Sequence, residues 1–128
     1  MTAADVKLTI QFIDPELDLE EREEQAQMLM AELRESEAVE TVDRVPDPNP
    51  PVGSKSIGSF LVGILTAEVN AANLGKVFGF LGGFLERKPI ELSVEVKKLG
   101  KTKTLTLKAY GQKDLEAALK AAREFVES

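Results

Sequence analysis

Between residues 90 and 109 two runs of strict alternation face each other across a glycine. Ile90, Leu92, Val94 and Val96 alternate with Glu91, Ser93, Glu95 and Lys97; past Gly100, Leu105, Leu107 and Ala109 alternate with Thr104, Thr106 and Lys108. A two-residue period sends the apolar side chains to one face of a strand and the polar ones to the other. The resulting β-hairpin has one wet face and one that must be covered, so the chain has to supply a covering layer. No other feature limits the fold as much.

The rest of the sequence supplies that layer. Val6, Leu8, Ile10 and Phe12 alternate with Lys7, Thr9 and Gln11, which predicts a first strand. After Asp14-Pro15, Asp18 suits a helix cap with Glu21 three residues on, and Leu19, Ala26, Leu29, Met30 and Leu33 recur at helical spacing to about Ser36. Its acidic first turn matches the helix dipole. Val39, Val42 and Val45 suggest a short second strand. Residues 46–56, PDPNPPVGSKS, place four prolines in six positions and predict a stiff, extended connector. A long Gly-rich apolar helix is expected from 57 to 86, either continuous or broken near Asn73, where Asn and Gly favour a left-handed cap. Beyond the hairpin, Asp114 is expected to cap a last helix whose Leu115, Ala118, Leu119, Ala122, Phe125 and Val126 form one stripe. The expected fold is α+β, in the order β-α-β-α-β-β-α. A four-stranded, mostly antiparallel sheet is covered on one face by helices, in a single domain over 1–128.

Composition narrows the chemistry. The 128 residues are 43% apolar, enough for one core, and contain neither Cys nor His. Disulfides and thiolate chemistry are therefore excluded, and the commonest general base and transition-metal ligand are missing. The formal charge of −6 argues against generic nucleic-acid binding. It is unevenly spread: residues 1–45 carry 13 acidic and 4 basic side chains, net −9, while 46–128 carry 9 and 12, net +3. Opposite poles of this kind attract, within one molecule or between neighbours. The start MTAADVKL has no basic segment followed by an apolar one, so the expectation is a cytoplasmic protein without an export signal.

The stretch NLGKVFGFLGGFLERK, residues 73–88, holds four glycines and three phenylalanines. On a helix, Leu74, Val77, Phe78, Leu81, Phe84 and Leu85 gather on one face and Gly75, Gly79, Gly82 and Gly83 on the other. Each glycine costs about 0.5–1 kcal/mol against alanine, so a close contact must compensate. A face without side chains admits another backbone, as in close helix pairs. The partner is either the domain's own first or last helix, a second copy, or a different protein. The residues expected at such a contact are Gly75, Gly79, Gly82 and Gly83, with Lys76 and Glu68 as the polar residues of the segment. A membrane is the weaker alternative for 57–86. Ten Leu, Ile, Val and Phe residues between 60 and 80 favour insertion by about 3–6 kcal/mol, but Glu68 and Lys76 oppose it by about 2.5–3.5 kcal/mol each.

Motifs for a chemical site fail on inspection. Asp14, Glu16, Asp18 and Glu20 alternate like a calcium loop, yet Leu19 stands at the glycine position and Gln25 at that of the final glutamate. Gly53-Ser54-Lys55-Ser56 lacks the glycine and lysine spacing of a phosphate loop. Glu68 is the lone carboxylate of the apolar run, and as a base it would need a deep pocket around it. Lys97, Lys98, Lys101 and Lys103 cluster at the hairpin turn, where lysines keep strand edges apart. No catalytic residue, cofactor or metal ligand is expected.

An N-terminal strand and acidic helix, a proline-rich connector ending in Gly53-Ser54-Lys55, a Gly-interrupted apolar helix closing with Phe84-Leu85-Glu86-Arg87-Lys88, and the hairpin IELSVEVKKLGKTKTLTLKAY with a short last helix resemble the effector-associated constant component family. That resemblance implies a small bacterial protein acting beside variable effectors in NTP-dependent conflict systems. On this basis the expected function is a non-enzymatic adaptor or regulator that binds an effector or itself.

Overall fold

Val6, Leu8, Ile10 and Phe12 are all buried, and the strand that carries them, β1 (Val6–Phe12), lies at the centre of the sheet. The computed structural model describes residues 6–47, 60–84, 88–98 and 100–127. After β1 come α1 (Leu19–Arg34), β2 (Thr41–Pro46), β3 (Phe60–Val69), α2 (Leu74–Phe84), β4 (Ile90–Lys98), β5 (Lys101–Ala109) and α3 (Gln112–Glu127). The strands form one five-stranded sheet in the order β2-β3-β1-β4-β5, every neighbouring pair antiparallel. The fold is α+β, with three helices and the element order β-α-β-β-α-β-β-α.

The fifth strand overturns the expected long helix. Residues 60–69, placed on the 57–86 helix by their apolar content, form β3, wedged between β2 and β1. Leu65, Ala67 and Val69 point into the core, while Ile64, Thr66 and Glu68 alternate outward. A run with apolar residues on both faces carries little period of its own, and pairing on both sides decided in favour of strand. The break falls where Asn70 was free to act: its side-chain oxygen accepts the Ala72 amide at 2.9 Å and caps a single 3-10 turn, Ala71–Asn73. The helix that follows has only 11 residues. The expected four-stranded sheet is likewise corrected to five. The proline-rich connector falls outside the described residues from 48 to 56, as do Gly53-Ser54-Lys55-Ser56 and Leu85, Glu86 and Arg87.

Other local expectations are met by specific bonds. The Asp18 carboxylate accepts the Glu21 amide at 2.8 Å and the Glu21 carboxylate accepts the Asp18 amide at 3.0 Å, a complete capping box. The Asp14 carboxylate accepts the Glu16 amide at 2.9 Å, so the acidic run serves a turn and a cap. Gly100 turns the hairpin at φ 77, where a side chain would be strained. Asp114 is not the cap of the last helix; α3 begins two residues earlier, and Asp114 reaches back to accept the Tyr110 amide at 2.7 Å.

One continuous core joins the covered sheet face to the helices. Leu8, Ile10, Leu65, Leu92 and Val94 meet Ala26, Leu29 and Leu33 of α1, Leu74, Val77, Phe78 and Leu81 of α2, and Leu115, Ala118 and Ala122 of α3. Burial of a side chain of this size contributes about 1.5–3 kcal/mol, which makes this face the main source of stability. The opposite face, with Lys7, Thr9, Thr66, Glu68, Ser93 and Thr106, carries no helix among the described residues.

Candidate functional site

The glycines of α2 lie beside its buried stripe. Leu74, Val77, Phe78 and Leu81 fix the helix to the core, and at 100° per residue this turns Gly75, Gly79, Gly82 and Gly83 toward α3 and the surface. The last helix runs antiparallel along this flank, its Arg123 near Gly75 and its Leu115, Glu116 and Leu119 beside Gly79 and Gly82. Between the two helices opens a groove of about 160 Å³. Gly75, Gly79 and Gly82 form its floor; Phe78, Leu115, Leu119 and Glu116 form its walls.

Coverage of the glycines is uneven. A Cβ on Gly75 would sit 2.6 Å from the Arg123 Nη2, so the guanidinium lies directly over that residue. Nothing lies within 4 Å of a Cβ built on Gly79 or Gly83, and both are exposed. Among the described residues the domain's own last helix thus supplies a close contact at Gly75, while the backbone at Gly79 and Gly83 is left bare.

Two residues grouped with the glycines by sequence part company in space. Lys76 is exposed on α2, next to the strip. Glu68 is on the face of the sheet that carries no helix among the described residues, exposed and opposite Lys7 and Thr41 in the neighbouring strands, so it has no share in the groove. The α3 residues Leu115, Glu116 and Leu119 were missed as groove residues. Their helical stripe was visible, but only packing shows that it faces α2.

A second cluster holds the opposite end of the sheet together. The Arg44 guanidinium donates to both oxygens of Glu23, with Nη2 to Oε1 at 2.6 Å, and to the carbonyls of Leu61 at 3.0 Å and Ile64 at 3.3 Å. The Glu23 carboxylate also accepts the Gly63 amide at 3.0 Å and the Gln27 side chain at 2.9 Å, and the Phe60 ring lies 5.5 Å from the guanidinium. Burial alone would raise the Glu23 carboxyl, but these hydrogen bonds and the charge of Arg44 outweigh it and hold the group below the ordinary glutamate range. Both partners are occupied by one another and by the backbone, which makes this a structural clasp. Among the described residues no three acidic side chains converge to hold a metal ion, and no helix is long and apolar enough to cross a membrane. No protein-family model matches the chain, and neither does any curated protein or any solved structure.

Proposed function

We propose that this chain is a non-enzymatic protein-binding module that takes an apolar segment of an effector protein into the groove between α2 and α3. The observation behind this reading is the bare backbone at Gly79 and Gly83 beside the apolar walls Phe78, Leu115 and Leu119. A helix gives up about 0.5–1 kcal/mol of stability for each glycine it carries in place of alanine, and at these two positions no contact within the described chain requires the small residue. A partner backbone laid on the strip would recover that loss through dispersion and Cα–H···O contacts. The groove has room for one large apolar side chain, since a cavity of about 150 Å³ holds a benzene-sized group. Lys76 and Glu116 supply polar residues at its margin, as in the rim of many interfaces. The resemblance to the effector-associated constant component family supplies the class of partner, an effector of a bacterial conflict system.

The test is co-expression with the effector-like products of neighbouring genes, followed by co-elution and titration. Gly79→Leu places its Cβ where no atom of the chain lies within 4 Å and extends its side chain into the groove, so it is expected to keep the fold and weaken binding by tenfold or more, about 1.4 kcal/mol. Equal binding by the variant would remove the groove from the interface. Failure of every such product to bind would end the adaptor reading.

A further inference from the structure

The two outer edges of the sheet pair with no further strand among the described residues, and they carry opposite charge. Among the described residues β2 pairs only with β3 and β5 only with β4, so each outer edge presents unpaired amides and carbonyls. Along β2 and the turn leading into it, Glu35, Glu37, Glu40 and Asp43 are exposed. Along β5, Lys101, Lys103 and Lys108 are exposed. Lysines on an edge keep it from pairing with a copy of itself. They do not keep it from pairing with an acidic edge.

Register brings the two sets of charges to the same end of the sheet. Thr41, Glu68, Lys7, Glu95 and Thr104 form one row across all five strands. Lys103 precedes Thr104 on β5, and Glu40 precedes Thr41, its amide donating at 2.8 Å to the carbonyl of Glu68, the residue that Thr41 itself faces, so both charges lie just before that row at the same end of the sheet. Since every neighbouring pair is antiparallel, β2 and β5 run in the same direction. A second copy that simply continues the sheet would set its β2 parallel to the first copy's β5, with the acidic residues that lead into β2 beside Lys101 and Lys103. Pairing β5 with β5 or β2 with β2 would instead bring like charges together. Pro46 and the irregular register beside it confine regular pairing on β2 to Thr41–Arg44, the part next to the acidic residues.

We infer that the occupant of each edge is a second copy of this chain, added head to tail through β5 and β2. Such a contact uses two different surfaces, so each added copy leaves one acidic and one basic edge free and growth continues past the dimer. The inference is independent of the α2–α3 groove.

Charge exchange tests it, read by sedimentation velocity over a concentration series in low and high salt. Wild type is expected to gain mass beyond a dimer in low salt and to lose it in high salt, because the contact is exposed to screening. Lys101→Glu/Lys103→Glu makes both edges acidic, and Glu37→Lys/Glu40→Lys makes both basic. Each variant alone is expected to require about tenfold or more higher concentration to assemble. An equimolar mixture of the two is expected to assemble as wild type does, since each acidic edge then finds a basic one. Gly79→Leu is expected to assemble like wild type. All substituted charges are exposed, and circular dichroism verifies the fold of each chain. A wild type that stays monomeric or stops at a dimer, variants that assemble unaided, or a mixture that stays apart would each overturn the inference.

Discussion

Glu23 on α1 and Arg44 on β2, 21 residues apart in sequence, face each other through two hydrogen bonds, Arg44 Nη2 to Glu23 Oε1 at 2.6 Å and Nη1 to Oε2 at 2.5 Å. The same pair collects the Gly63 amide and the carbonyls of Leu61 and Ile64, so it joins the helix to both strands at one edge of the sheet. The folded Glu23 carboxyl lies below its unfolded value, so the contribution of the clasp is complete above about pH 4.3 and is lost as pH falls through the lower, folded value. Glu23→Gln is expected to cost about 1–3 kcal/mol at neutral pH. In urea unfolding, the gap between wild type and variant should close as pH falls below about 4.3. A gap that stays constant with pH would assign the loss to shape instead of charge.

Gly63 has φ 72 and is buried against α1, where an added Cβ would lie 3.2 Å from Arg22 Cβ. Gly63→Ala therefore combines a left-handed backbone with a tight contact. The expected loss is about 1–2 kcal/mol from the backbone alone, measured by urea unfolding. No loss would mean that the strand relaxes to a negative φ at no cost.

Gly79 is the opposite case. It is exposed within α2, and a Cβ there meets nothing within 4 Å. Gly79→Ala is expected to stabilise the isolated chain by about 0.5–1 kcal/mol, read from the shift in denaturation midpoint. A destabilised variant would reveal a contact on that face.

Asp18 caps α1 through the Glu21 amide at 2.8 Å, and both residues are exposed. Asp18→Ala is expected to cost about 0.5–2 kcal/mol, while Asp18→Asn retains most of the capping energy. Comparing the two by thermal unfolding separates the hydrogen bond from the charge at the helix start.

Wherever the signal is local and periodic, the fold is legible from sequence. The alternation of Val6 to Phe12, the pair of runs on either side of Gly100, and the Asp18 to Glu21 cap require only neighbours in the chain to be understood. The glycine strip of α2 was equally visible, because its one-sided arrangement follows from helical spacing. The segment from Phe60 to Val69 was not. Its apolar residues suit either a helix or a strand buried between two others, and no residue within it decides the matter. The clasp was invisible for a related reason: Glu23, Arg44 and Gly63 come from three elements, and nothing about any one of them marks it as a partner of the others.

By itself, then, the sequence determined the α+β class, the hairpin, the first strand and helix, and the absence of thiol and imidazole chemistry, since period, capping and composition act over a few residues. Only the tertiary structure decided that the sheet has five strands, that α3 covers Gly75 and leaves Gly79 bare, and that Glu68 stands apart from the glycines on the opposite face of the sheet. Those outcomes depend on which elements compete for the same surface, and that competition is resolved by burial and backbone pairing across the whole chain.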